Sequence, residues 1–180
     1  MIGGAGFPTL RTPRLVLEPF EAKHSPGMFA LWSSPEVCRY SGEAEDLQGR
    51  PIPLPATRTE DSDRILEFFI ARMARPDAVR WAIVEDGAFV GALGFNSLPQ
   101  GAGAWPELAF HLLPPRWGQG LAREASEAVL AWGETALGPE GFEAFADDPN
   151  VASGALLERL GFERTDELRE GARRYQRALT

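Results

Sequence analysis

The chain has 180 residues, 44% of them hydrophobic, with 18 basic side chains against 26 acidic ones and a formal net charge of −8. That size predicts one core and a single domain over 1–180, and the acidity excludes a chain-wide attraction to nucleic acid or to an anionic membrane. One cysteine, Cys38, reads as a small buried hydrophobe, and two distant histidines without CxxC or HExxH spacing give no metal site.

In chain order, "RLVLEPF" from Arg14 alternates apolar and polar residues as a half-buried strand does. Met28, Phe29, Leu31 and Trp32 are spaced for a short helix that Ser-Ser-Pro stops. Residues 42–58 hold three prolines and no periodicity, which predicts a long surface loop of the kind that usually carries function. Thr57 and Glu60 resemble a capping box opening a helix whose buried face is Ile65, Phe68, Phe69 and Met73 and whose end is Pro76. "RWAIVEDGAFVGALGF" is two alternating runs joined at Asp86-Gly87, a hairpin signal. "ELAFHLL" from Glu107 is a further strand.

From Gly120 the pattern becomes helical: Leu121, Ala125, Ala128, Val129, Trp132 and Ala136 recur at intervals of three and four, and Gly138-Pro139 ends the run. "FEAFA" is a strand, "NVASGALLERLG" a helix with Asn150 as N-cap and Gly161 at its end, and "FERTDEL" and "RRYQRALT" close the chain as strands. The connections are too short for crossovers, so the fold class is α/β in the α+β sense: a mixed, mostly antiparallel central sheet of about seven strands flanked by about four helices.

The segment with chemical content is "RWGQGLAREA", residues 116–125. A helix N-terminus leaves backbone N–H groups unpaired under partial positive charge, and glycines let a phosphate approach them. This loop lacks the GxxxxGK[ST] of a P-loop, and Arg123 stands where GxGxxG has its third glycine, which weakens nucleoside triphosphate and dinucleotide readings. A nucleotide-dependent oxidoreductase would also need an acid ending a parallel strand about 20 residues on. Glu140 and Glu143 fall before or within the next strand instead.

Read with its flanks, the sequence resembles the GNAT acetyltransferases, in particular the branch of ribosomal-protein N-terminal acetyltransferases of the RimJ/RimL type. "LRTPRLVLEPF" is similar to that branch's opening strand, "LLPPRWGQGLAREA" to its strand, loop and helix for coenzyme A, and "DDPNVASGALLERLGF" to its Asn-x-x-Ser helix. The resemblance implies acetyl-CoA as cosubstrate, with amides of Trp117, Gly118, Gln119, Gly120, Leu121 and Ala122 on its pyrophosphate. The broader family often has Gln or Arg where this chain has Trp117, which matters little to backbone contacts.

The resemblance further implies Ser153 as proton or hydrogen-bond donor to the coenzyme sulfur, with Asn150 as cap and coenzyme contact. It makes Glu107 a general base, direct or through water, and gives the oxyanion a backbone N–H near Leu112 or Leu113. Arg123 can reach a phosphate or simply decorate the helix. His111 shares the strand face of Glu107 by alternation and reads as a satisfied histidine. Arg169, Arg173, Arg174 and Arg177, interleaved with Glu167 and Glu170, read as a solvated strand face.

Acetyl transfer to an amine requires a deprotonated nucleophile, oxyanion stabilisation and protonation of the leaving thiolate. The expected activity is therefore N-acetyl transfer to a primary amine by direct attack in a ternary complex. The alternative is a non-catalytic acyl-CoA-binding sensor. The expected partners are acetyl-CoA and an amine acceptor, with no nucleic acid, membrane or metal; the expected setting is the cytoplasm, as monomer or homodimer.

Overall fold

The computed structural model describes residues 7–75, 77–98 and 104–179, so the predicted stop at Pro76 lies outside the described residues. Ten strands and five α-helices alternate along it. β1 (Leu10–Arg11) and β2 (Leu15–Pro19) lead to α1 (Ser25–Trp32) and α2 (Pro35–Cys38), then to β3 (Ala44–Glu45), β4 (Pro51–Ile52) and α3 (Thr59–Met73). A meander of β5 (Val79–Glu85), β6 (Ala88–Phe95) and β7 (Leu108–Leu112) precedes α4 (Leu121–Leu137), β8 (Gly141–Ala146), α5 (Val151–Arg159), β9 (Glu163–Arg169) and β10 (Ala172–Ala178).

The expected seven-stranded sheet is divided. β1-β2-β5-β6-β7 form an antiparallel sheet of five, β8-β10-β9 a sheet of three, and β3-β4 a separate pair. Asp86 and Gly87 both take positive φ, 49° and 80°, the backbone of the two-residue turn that the β5–β6 twist favours. Alternation along β5 and β7 then sorts the five-stranded sheet into two faces. Val79, Trp81, Ile83, Leu108 and Leu112 face the core that includes Leu121, Val129 and Leu130 of α4. Ala82 and Ala92 face a second core built on Met28, Leu31, Trp32, Ile65 and Leu66 of α1 and α3.

Two local expectations are corrected. Residues 42–58 are not simply irregular: Asp46 accepts from the amides of Gln48 and Arg50, each at 2.9 Å, and from Arg64 of α3 at 2.7 Å, folding the segment into the β3–β4 hairpin against that helix. Burial pushes the Asp46 pKa up, but these backbone and guanidinium donors outweigh it and hold the carboxyl well below its usual range. The second correction is the start of α3, where Arg58 is the N-cap and makes no side-chain cap bond. The Thr57–Glu60 box does not form because the helix opens one residue later than that pattern requires.

Candidate active site

β7 and β8 run parallel and touch at one isolated bridge, Glu107 to Glu143, with the Glu143 amide donating to the Pro106 carbonyl at 3.0 Å. Beyond it the two strands belong to different sheets, so a gap opens along β7 toward its C-terminal end. Ladder alternation decides which amides face that gap. Asn96 N–H donates to Glu107 O at 2.8 Å and Leu113 N–H to Val90 O at 2.9 Å, so the odd-numbered residues of β7 bond to β6. The amides of Phe110 and Leu112 therefore point away from β6, into the gap. Leu113, expected beside Leu112 as an oxyanion donor, has already spent its N–H on the β6 ladder.

Past β7 a 3₁₀ turn, Pro114–Arg116, leads into the glycine loop. The Trp117 amide donates back to Pro114 O at 3.1 Å, which withdraws it from the expected anion-binding set. Its indole N–H instead donates to Leu112 O at 2.8 Å and ties the loop to the strand end. Gly118 and Gly120 take φ of +73° and +76°, and a Cβ at Gly118 would meet nothing within 4 Å. At Gly120 a Cβ would meet only Arg14, at 3.5 Å. α4 begins at Leu121 without a side-chain cap, and the first amide returning into the helix is that of Glu124, to Gly120 O at 3.1 Å. The amides of Leu121, Ala122 and Arg123 are thus the open ones of the first turn, beside the two glycines.

Sequence reasoning missed what braces this loop. Arg14, just ahead of β2, donates Nη1 to Gln119 O at 2.9 Å and Nε to Glu124 at 2.6 Å. Glu124 also accepts from the Thr12 hydroxyl at 2.6 Å and the Arg14 amide at 2.9 Å. Burial raises its pKa, and these hydrogen bonds together overcome that and lower it. The Gln119 side chain is turned back to Pro115 O at 2.9 Å, and Arg123 pairs with Glu127 at 2.8 Å along the helix surface.

After β8, Asn150 caps α5 by accepting from the Ser153 amide at 3.3 Å. That bond uses the Ser153 backbone and leaves its hydroxyl to another purpose. Glu107 sits where β7 and β8 join. One carboxylate oxygen accepts from Asn96 Nδ2 at 3.0 Å and the other from Arg169, whose guanidinium lies 3.5 Å from the centre of the Phe145 ring. A carboxylate offers about four lone-pair sites, so it can still receive a proton donor. The other three arginines expected on a solvated face are each paired too, Arg173 with Asp148, Arg174 with Glu143 and Arg177 with Glu134. His111 is not satisfied as expected: its Nδ1 is buried without a partner among the described residues. Burial first and the Arg80 charge second push its pKa down to about 3, so the ring is neutral.

The sequence matches the family model described as an acetyltransferase (GNAT) domain over residues 14–163. The chain belongs to the GNAT acetyltransferase family. It is 29% identical over 166 residues to the uncharacterized N-acetyltransferase YoaA of Bacillus subtilis (strain 168), covering 91% of this chain and 88% of that one. With the uncharacterized N-acetyltransferase p20 of Bacillus licheniformis it shares 28% identity over 164 residues, 90% and 86% of the two chains. Its fold matches RimL, a ribosomal L7/L12 alpha-N-protein acetyltransferase solved with coenzyme A, at a TM-score of 0.77 and 18% identity over 96% and 98% of the chains. A structure named as a putative ribosomal-protein-serine acetyltransferase from Vibrio cholerae gives 0.79 at 16% identity over 98% and 100%. The protein is thus an acetyltransferase with the GNAT fold, a family that uses acetyl-CoA. The open backbone at Gly118 and Gly120, which a Cβ would fill, fits a phosphate-bearing cosubstrate. No helix among the described residues is long and apolar enough to cross a membrane.

Proposed function

We propose that this protein acetylates a primary amine, at a peptide N-terminus or on a small molecule, by direct attack in a ternary complex. The observation that carries the reading is the parting of β7 from β8 beyond one bridge, with the Leu112 amide aimed into the gap next to the glycine loop. Acetyl-CoA, when bound, supplies an activated acyl thioester.

Each remaining role falls to a residue of the chain. The amides from Gly118 to Arg123, at the positive end of α4, hold the pyrophosphate. The Leu112 N–H points where a carbonyl oxygen in the gap gains charge, and it needs no reorganisation to serve as donor. Glu107 accepts a proton from the incoming ammonium, directly or through one water, while Asn96 and Arg169 fix its orientation. Ser153 of α5 donates to the leaving sulfur. An α-amine with a pKa near ~8 is already partly neutral at working pH and asks less of the base than a lysine near ~10.4.

The test is thiol release from acetyl-CoA against peptide α-amines, lysine ε-amines, polyamines and aminoglycosides, with a no-acceptor control. Release with one class supports the reading and names the acceptor. Binding of acetyl-CoA without release in any arm favours a non-catalytic acyl-CoA sensor.

A further inference from the structure

The face of the five-stranded sheet opposite α4 carries polar groups that the acetyl-transfer chemistry above does not use. Arg80 on β5 is 5% exposed, and its Nε and Nη1 find no acceptor among the described residues. Trp32 Nε1 and His111 Nδ1 are buried on the same face without a partner among the described residues, their rings 5.0 Å apart. Between Arg80 and His111 the register sets small residues: Gly94 opposite Arg80, Ala109 opposite Gly94, and Ala92 opposite His111. They form a low floor beneath the polar groups.

Arg80 packs its guanidinium over the Phe69 ring at 4.5 Å and lines a cavity of about 40 Å³ with Phe68, Arg72, Met73 and Asn96. That is more than one water requires and is the scale of a carboxylate group. Arg72 is a second cation at the cavity and meets Asp77 only at 3.4 Å. The acid facing this end of the sheet, Glu107, is already held by Asn96 and Arg169. Arg80 stays protonated: burial lowers its pKa to about 10, against the attraction of Glu107. A buried guanidinium without an acceptor is unfavourable, and a planar fork matches a carboxylate in bidentate fashion.

We propose that Arg80, with Arg72 at the rim, binds a carboxylate on the acceptor, so that the amine acetylated here belongs to a molecule that also carries an acid. This rests on the acetyl-transfer reading above. Arg80 lies opposite Gly94, itself opposite Ala109, so it stands two strand spacings, about 10 Å, from β7 at Ala109, with Leu112 three residues further along that strand. Both an ω-amino acid and a peptide N-terminus with an acidic second residue carry that chemistry.

Thiol release is compared for 5-aminopentanoate against 5-aminopentanamide, and for Ser-Glu against Ser-Gln peptide amides, with wild type, Arg80→Met and Arg80→Lys. A carboxylate preference of tenfold or more in kcat/KM for wild type is expected, in the first pair for a small acceptor and in the second for a peptide. The ratio falls toward one in Arg80→Met. Arg80→Lys, which keeps the charge without the fork, falls between them and serves if the methionine variant does not fold. A second readout needs no turnover: millimolar 5-aminopentanoate raises the Tm of wild type and not of Arg80→Met. Removing an unpartnered buried charge should leave the ligand-free Tm of Arg80→Met equal or higher, whereas a purely structural arginine would lower it. Thiol release with equal rates for both members of each pair, or a preference that survives Arg80→Met, overturns the subsite. Stabilisation by 5-aminopentanoate that depends on Arg80, without thiol release in any arm, upholds the subsite and overturns the transfer reading instead.

Discussion

Replacing Arg14 with alanine removes a side chain that ties the glycine loop to the start of α4 from just ahead of β2. Two bonds are lost, Nη1 to Gln119 O at 2.9 Å and Nε to Glu124 at 2.6 Å. A hydrogen bond from a charged donor contributes ~1.5–3 kcal/mol, and the 45% exposure of the Arg14 side chain discounts the ion-pair part heavily. About 1–2 kcal/mol remains to order Gln119 between two glycines that otherwise have wide backbone freedom. If that ordering presents the amides of Gly118, Gly120 and Leu121, its loss appears as weaker acetyl-CoA binding, about 5- to 30-fold in Kd. Global stability changes less, because Glu124 keeps the Thr12 hydroxyl and the residue-14 amide. The assay is calorimetric titration with acetyl-CoA beside thermal melting, with Arg14→Lys as the intermediate case that retains charge without the fork. An unchanged Kd in a folded Arg14→Ala protein refutes the bracing argument. So does a loss of several kcal/mol in stability with affinity intact.

Three further outcomes are expected. Gly120→Val forces a β-branched side chain to a φ of +76°, a strain of about 1–2 kcal/mol. The protein should therefore still fold while acetyl-CoA affinity drops at least tenfold; calorimetry showing wild-type affinity would remove the loop from the binding site. Ser153→Ala preserves the cap, since Asn150 accepts from the backbone amide of residue 153, so steady-state kinetics should show kcat lowered about tenfold with Tm and acetyl-CoA affinity near wild type. His111, at about 3 in the folded chain against ~6.5 unfolded, lets the unfolded state bind a proton that the native state refuses. Stability therefore falls as pH drops from 6.5 toward 3, by up to ~1.4 kcal/mol per pH unit. His24, also lowered by burial, acts in the same direction. His111→Phe should flatten the Tm profile between pH 6.5 and 4.5, and an unaltered slope would show that the ring is charged when folded.

Legibility in the sequence followed the range of the interactions involved. The β5–β6 hairpin, α4 and α5 were readable because their signals are local: positive-φ residues at a turn, a three-and-four spacing, an Asn whose side chain reaches three residues on. The division of the sheet was not, because β7 and β8 are set apart by pairing partners distant in sequence. Nothing within "ELAFHLL" or "FEAFA" says that their contact ends at Glu107 and Glu143. The hairpin at residues 42–58 was missed for a related reason. Its organiser is a single buried aspartate, Asp46, which draws on Arg64 from the next helix.

The same distinction runs through the candidate site and divides it by chemistry. The proposed cosubstrate side is made of backbone: amides from Gly118 to Arg123 and the amide of Leu112, all placed by glycine and ladder geometry over a dozen consecutive residues, hence visible as a motif. The proposed acceptor side is made of side chains from elements far apart in the chain, with Trp32 of α1 against His111 of β7 and Phe69 of α3 against Arg80 of β5. A backbone site is nearly indifferent to side-chain substitution, whereas a side-chain site over a floor of Ala92, Gly94 and Ala109 changes its ligand whenever one large residue changes. With Arg80 as the proposed acceptor group, substitutions there and at its neighbours should change acceptor preference without altering acetyl-CoA affinity, and substitutions in the glycine loop should do the reverse.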